Sequence, residues 1–280
     1  MKILVTGSSG YVGSSFMEAF KNQYQFVNFS LQKGEIEHID FTGVDTILHA
    51  AALVHQSEEH PYEKYQQINV TYPLSLAKRA KAQGVKQFVF ISTIAVYGES
   101  LSYIDEQSAC TPSTPYGISK YRAEQALQKL QDENFIVSII RPPMIYGDQA
   151  PGNIQTLVKI INQTPLLPFG GIHNRRSFIY IHNLTAIIDR VIQLQKEGLF
   201  LVSDDHAIST SYLIETLASA LNKKLYLFYL PFFAPLLKKI RPKIYSRLYN
   251  NLEINNQQSL KILKFKTPYS VENAIISAFS

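Results

Sequence analysis

Two hydrophobic periods share the first 150 residues. Short runs of β-branched, aliphatic and aromatic residues read as strands of a buried parallel sheet: Lys2 to Val5, Gln25 to Phe29, Val44 to Leu48, Val85 to Ile91 and Phe135 to Ile140. Between them, apolar residues recur at helical spacing. Phe16, Met17 and Phe20 follow Ser14; a second helix runs from Pro73 to about Gln83, where Gly84 stops it; a third runs from Tyr116 to about Leu130, after Pro112 and Pro115. Asp40-Phe41 ends one more short segment. The order β-α-β-β-α-β-α-β predicts an α/β fold with a doubly wound parallel sheet. Past Gly147 the pattern becomes irregular, punctuated by Pro151-Gly152, Pro165, Pro168 and Gly170-Gly171. Phe178 to Ile181 and Leu199 to Val202 read as strands, with a helix from Leu184 to about Gln195. Residues 1–150 and 174–203 are therefore expected to form one domain, and residues 151–173 and 204–280 a smaller one.

The turn after the first strand narrows the chemistry. Thr6-Gly7-Ser8-Ser9-Gly10-Tyr11-Val12-Gly13 joins a strand to a helix N-terminus, which is a site for an anionic phosphate. Gly7 allows the turn, Gly10 lets the backbone approach a pyrophosphate, and Gly13 lets helix and strand pack closely. The context points to a dinucleotide. Such sites often end the second strand with an acid that binds the adenosine ribose, yet Asn28-Phe29-Ser30-Leu31-Gln32-Lys33 has none. Ser30 and Lys33 would tolerate a 2′-phosphate, which favours NADP(H) over NAD(H); Lys33 as a solvated loop charge is the alternative. Asp40 and Phe41 could face an adenine. Ala50, Ala51 and Ala52, after the strand that ends near His49, leave room for a ligand.

Composition changes the picture in two places. The single cysteine, Cys110, excludes an internal disulfide framework and fits a reducing compartment. The first apolar run ends at Val5 in a glycine turn, so no secretory signal is read there, no run is long enough to span a membrane, and a cytoplasmic protein is expected. The net charge of +5 is concentrated in residues 222–252, which hold Lys223, Lys224, Lys238, Lys239, Arg241, Lys243 and Arg247 and no acid. One basic segment argues against a nucleic-acid binder. A substrate lid with a solvated basic face is the favoured reading of that segment. Peripheral binding to anionic lipid is allowed but not favoured, and a phosphate-gripping surface is the third reading.

Tyr116 and Lys120 are four apart and share a helix face. A tyrosine with a pKa near ~10 is a poor base at neutral pH, and a nearby cation favours its phenolate. Thr93, at the end of the Val85 to Ile91 strand, supplies a hydroxyl for a substrate oxygen. The three together would exchange one proton while a nicotinamide exchanges a hydride. The seven histidines form no metal-ligand spacing, so no metal is expected, and His49 is read as an aromatic packing residue. No Gly-x-Ser-x-Gly elbow is present.

Thr6 to Gly13, Ser92-Thr-Ile-Ala-Val-Tyr-Gly98 and Tyr116-Gly-Ile-Ser-Lys120 resemble the extended short-chain dehydrogenase/reductase family. Within it the chain is most similar to the nucleotide-sugar 4-epimerases and 4-ketoreductases (NAD-dependent epimerase/dehydratase). Arg141-Pro-Pro-Met-Ile-Tyr-Gly147, Gly152-Asn153 and Asn174 to His182 look especially like the 4-ketoreductases of surface-polysaccharide synthesis.

The resemblance implies a Rossmann-like NAD(P)-binding domain beside a substrate domain, with Thr93, Tyr116 and Lys120 as the catalytic triad. It implies a cofactor site of Gly7, Ser9, Gly10, Tyr11, Val12, Gly13, Ser30, Lys33, Asp40, Phe41, Ala50, Ala51, Ala52, Asn69, Tyr116, Lys120 and Pro142. Thr93, Tyr116, Asn153 and Arg176 would meet the substrate, with Arg175 as fallback for Arg176, and Arg247 as a second phosphate contact. A UDP-sugar is the implied partner, and a homodimer is compatible. Ile94 and Ala95 stand where sugar 4,6-dehydratases carry an Asp-Glu pair, which argues against dehydration. The reading favoured is a 4-ketoreductase acting at C4 of a UDP-linked hexose or N-acetylhexosamine. A UDP-sugar 4-epimerase is the alternative. A non-catalytic NAD(P)-sensing protein is a third, against which the intact triad speaks.

Overall fold

Ile3, Leu4 and Val5 have no exposed surface in the computed structural model, which describes residues 1–29, 36–54 and 60–280. They form the core of β1 (Lys2–Thr6), a strand covered on both faces. The chain continues through α1 (Tyr11–Ala19), β2 (Gln25–Phe29), β3 (Thr46–His49), α2 (Tyr62–Gln66), α3 (Tyr72–Ala82), β4 (Gln87–Ile91), β5 (Tyr103–Ile104), α4 (Pro115–Gln128) and β6 (Ile136–Arg141). It then forms β7 (Ile145–Tyr146), α5 (Asn153–Gln163), β8 (Leu166–Leu167), β9 (Ile179–Tyr180), α6 (Ile181–Leu194), β10 (Gly198–Leu201) and α7 (Thr210–Ala220). The last elements are β11 (Tyr226–Leu227), α8 (Phe233–Ile240), α9 (Pro242–Tyr249), β12 (Glu253–Ile254), α10 (Gln257–Leu263) and α11 (Val271–Phe279).

Six strands make one parallel sheet in the order β10-β6-β4-β3-β1-β2. Ile3 pairs with Phe26 on one side and Thr46 on the other. The α/β doubly wound fold is as expected. Strand order reverses at β1 and β3, so the crevice for a ligand lies beyond Thr6 and His49. Alternate residues of β4 serve opposite faces: Phe88 and Phe90 pack with α3 and α4, while Val89 and Ile91 pack with α1 and α6.

The short segment that Asp40-Phe41 ends does not join the sheet: Ile36–His38 is a turn of 3₁₀ helix, and residues 39–41 are irregular. Ile36 and Ile39 are three apart, which suits that turn rather than a pleat. Both are buried with Phe41 in the core under the sheet.

A third buried cluster joins β7, β9, α5, α7 and α11, with Tyr146, Phe178, Leu217 and Ile275 among its members. Asp204 ties it together: its carboxylate accepts from the Tyr146 hydroxyl (2.7 Å), the Tyr180 N–H (3.0 Å) and Asn183 Nδ2 (2.7 Å). Burial nevertheless pushes that carboxyl up to about 6. Three parallel pairs of two residues, β7 with β9, β8 with β11 and β12 with β5, clip the later segments to the earlier ones.

Candidate active site

At the switch point, Gly7 has φ +71°, and a β-carbon on it would lie 2.6 Å from the Ala51 nitrogen. A β-carbon on Gly13 would lie 2.4 Å from the Gly7 carbonyl oxygen. The loop is thus pressed against both the chain after β3 and the start of α1. Gly10 precedes α1 with no side-chain cap, and the first turn carries no acid, so its free N–H groups suit an anion. This cradle, which any side chain at Gly7 or Gly13 would fill, fits a dinucleotide pyrophosphate.

The other residues expected there fall into distinct settings. Ser9 is exposed on the loop. Val12 packs against two cores. The Tyr11 hydroxyl is buried without a hydrogen-bond partner, and burial pushes its phenol up. Ala50, Ala51 and Ala52 follow β3 partly exposed at the crevice. Asp40 is exposed, and its carboxylate accepts from the Thr42 N–H at 2.9 Å. Ser30 and Lys33 lie outside the described residues. His49 is fully buried; its Nδ1 lies 2.8 Å from the Thr6 hydroxyl, and its ring stacks on Phe88 and Phe90. Burial, then the charge of Lys120, pushes it down to about 3, so it is a neutral packing residue, as read from the sequence.

Asn69 sits in a π-helical turn, Gln67–Thr71, between α2 and α3, and is buried. It clasps the chain after β3 through the Leu53 N–H (2.8 Å) and carbonyl (2.9 Å). Its amide also donates to the Ser119 hydroxyl (2.9 Å), which donates to the Tyr116 carbonyl (2.8 Å). Asn69 therefore links the crevice wall to the helix of the expected catalytic pair.

Thr93 caps the 3₁₀ turn Ile94–Tyr97 and accepts from the Ala95 N–H at 3.2 Å. The carbonyl of Pro142, after β6, accepts from the Ile94 N–H at 3.1 Å and holds the same loop. α4 starts at Pro115, a residue suited to a first turn, and the Thr114 hydroxyl accepts from the Gly117 N–H at 3.1 Å. Gly117 lets α4 lie against the Thr93 loop. Tyr116 is half-buried, and desolvation pushes its phenol up to about 12, opposed by a hydrogen bond with Thr93.

Lys120, the cation expected to favour that phenolate, stands one turn further along α4. Lys120 is 1% exposed, its ammonium lies 3.8 Å from the centre of the Phe90 ring, and burial pushes it down to about 7 against the opposing charge of Glu124.

One turn beyond Lys120, Glu124 forms a buried ion pair with Arg141 through contacts of 2.5 and 3.0 Å, and the Ser92 hydroxyl donates to the same carboxylate. Arg141 also stacks 4.8 Å over Tyr97. This network was not read from the sequence. Its signal was present in the spacing Tyr116, Lys120, Glu124, which puts all three on one face.

From Thr93 a cleft of about 640 Å³ opens toward α9. Arg176 and Arg247 both line it, with Met144, Lys243 and Tyr249. Arg176 Nη1 donates to the Asn250 carbonyl at 2.9 Å; burial and then the charge of Arg247 lower its pKa. Two guanidiniums that repel one another across a cleft, neither in a salt bridge among the described residues, favour a polyanion. Arg175 turns away and forms a bidentate pair with Glu253 (2.6 and 2.7 Å), which removes it as the fallback. Asn153 begins α5, and its side chain lies outside the described part. Lys243 and Tyr249 were not anticipated as cleft residues.

A sequence profile of the NAD dependent epimerase/dehydratase family matches residues 3–200. The chain belongs to this family. It is 31% identical to the UDP-glucose 4-epimerase of Vibrio cholerae, over 96% of this chain and 92% of that one. It is 27% identical to the N-acetyl-alpha-D-glucosaminyl-diphospho-ditrans,octacis-undecaprenol 4-epimerase of Escherichia coli O157:H7, over 82% and 75%. Its fold matches the dTDP-4-dehydrorhamnose reductase of Bacillus anthracis in complex with NADP, with a TM-score of 0.79 at 21% identity over 99% and 98% of the two chains.

Proposed function

We propose that this family member is an NAD(P)-dependent 4-epimerase of a UDP-linked hexose or N-acetylhexosamine. The observation that carries the reading is a cleft that runs from Thr93, hydrogen-bonded to Tyr116, to Arg176 and Arg247, with Lys120 buried one helical turn beyond Tyr116. Both relatives are named as 4-epimerases of a sugar held on a diphosphate, which supports epimerase over the 4-ketoreductase favoured by the branch resemblance.

A bound nicotinamide supplies the redox change at C4. The glycine loop would hold its pyrophosphate, and Asn69 would fix the crevice wall. Tyr116 takes the proton of the C4 hydroxyl as that carbon becomes a ketone, and returns it when the alcohol re-forms. The Thr93 hydroxyl holds the same oxygen. Lys120 keeps a charge available one turn along the helix. Arg176 and Arg247 anchor the diphosphate while the hexose presents its other face. Ile94 and Ala95 have no proton to transfer, so elimination of water has no agent there.

The ketoreductase stays as a second reading, supported by the absence of an acid in residues 28–33. That absence also supports NADP(H) over NAD(H). The test is incubation with UDP-glucose, and separately UDP-N-acetylglucosamine, with no cofactor added. Formation of the C4 epimer supports the proposal. Stoichiometric oxidation of added NADPH by a UDP-4-keto sugar, without epimer formation, moves the assignment to the reductase. Neither reaction, in a protein that binds NAD(P), would leave the sensing protein as the reading.

A further inference from the structure

α8 and α9 contain no buried residue. Phe233 and Leu237 turn inward, with Phe233 packed edge-on against Phe169 at 6.0 Å. Leu236 and Ile240, four residues apart, lie along the outside of α8 with exposures of 54% and 61%, and Phe232, the left-handed residue just before the helix, is 84% exposed. Tyr229 at 74% and Leu230 at 44% lead into the same row. Single exposed apolar residues are ordinary, but an aligned row of this kind marks an interaction surface. The charged residues beside it in the chain are all of one sign: Lys238, Lys239, Arg241 and Lys243 are exposed, and residues 222–252 hold no acid.

We propose that this face docks on an anionic lipid bilayer, with Phe232, Leu236 and Ile240 at the boundary of headgroups and acyl chains and Lys239 and Arg241 among the lipid phosphates. Aromatic and aliphatic residues in a helical row, flanked only by cations, match the chemistry of an interfacial helix. A second copy of the chain meeting the same face across a two-fold axis would set these cations against themselves. Among the described residues no helix is long and apolar enough to cross a membrane, so the face rests on the bilayer.

The solvated lid favoured from the sequence explains only half of the segment. α9 does wall the cleft through Lys243, Ser246, Arg247 and Tyr249, whereas nothing among the described residues buries the α8 row. Tyr249 also lines a small apolar depression with Tyr229, Leu230 and Phe232, so the cleft opens beside the docking face.

The purified chain should co-sediment with phosphatidylcholine vesicles containing phosphatidylglycerol at physiological salt, and not with phosphatidylcholine alone. Added salt should weaken the binding. Lys239→Gln should weaken it about five-fold, the effect of one basic residue at a charged surface. Leu236→Ser with Ile240→Ser should abolish it with the cooperative melt unchanged, since neither side chain is buried. Tyr116→Phe should bind vesicles as the parent does, which separates this surface from the catalytic reading. Failure to co-sediment with anionic vesicles would overturn the proposal. So would a dimer in sedimentation velocity that the same double substitution dissolves while vesicles are ignored.

Discussion

Gly117 lies so close to Ala95 that a β-carbon on it would stand 2.6 Å from the Ala95 carbonyl oxygen. Backbone against backbone, this contact sets the spacing between the helix of Tyr116 and the loop of Thr93. In Gly117→Ala the helix must move away. The expected stability loss is about 1–3 kcal/mol, the cost of overpacking. Turnover should fall on the order of 100-fold, because a shift near 1 Å misplaces the phenol. Thermal melts and steady-state rates check both, and a variant with parental turnover would show that the spacing does not matter.

Tyr116→Phe removes the hydroxyl proposed to carry the proton and leaves the ring packing intact. Turnover should drop by about 10² to 10⁴, the range for a positioned acid–base group. Dinucleotide affinity, measured by fluorescence titration, should stay close to that of the parent.

The Glu124–Arg141 pair is dry on both sides, with exposures of 2% and 5%. Arg141→Met leaves a buried carboxylate held by Ser92 alone, and denaturant unfolding should register a loss of about 3–5 kcal/mol. Adding Glu124→Gln to that variant should restore part of the loss, since it removes the unpaired charge. If the second substitution adds further destabilisation, the penalty lies in packing rather than in charge.

His49 gives a pH signature. Its folded pKa of about 3 lies below the unfolded value near ~6.5, so between these the unfolded chain binds a proton that the folded chain does not. Its contribution is fully favourable above the unfolded value and declines as pH falls toward the folded one. Between pH ~6 and ~4 the parent should lose about 1.4 kcal/mol per pH unit more than His49→Gln. NMR should show the His49 ring neutral throughout that range.

The strands of the sheet were legible because a strand buried on both faces requires an unbroken apolar run, as in Ile3 to Val5 and Phe88 to Ile91. That Tyr116 and Lys120 share one helix was legible because they fall one turn apart, and α4 holds both. α8 and α9 were not, because prolines stand in that stretch and a proline ordinarily interrupts a helix. Pro235 is the third residue of α8 and Pro242 the first of α9, positions whose N–H has no helical acceptor. Nor could the sequence show that Lys120 rests on Phe90, which arrives from a strand thirty residues earlier. Arg175 and Arg176 are adjacent in an extended segment, so their side chains point to opposite sides; composition alone does not tell which faces the cleft.

Arg176 is bridged through its backbone to Ile208 and to Leu252, and Glu253–Ile254 pair with Tyr103–Ile104, 150 residues earlier. This has a consequence for the chain as it leaves the ribosome. Once Leu201 has emerged, all six strands of the sheet are available, and Thr93, Tyr116 and Lys120 with them. The wall carrying Arg247 and Tyr249 is tied down by residues 246–254: the Ser246, Leu248 and Asn250 carbonyls accept from Arg176, Asn174 and Thr210, and Leu252 to Ile254 then pair with Arg176 and β5. A nascent chain between those two lengths can form the strands that shape the glycine loop but not the wall of the cleft, so the two halves of the candidate site arise in sequence rather than together.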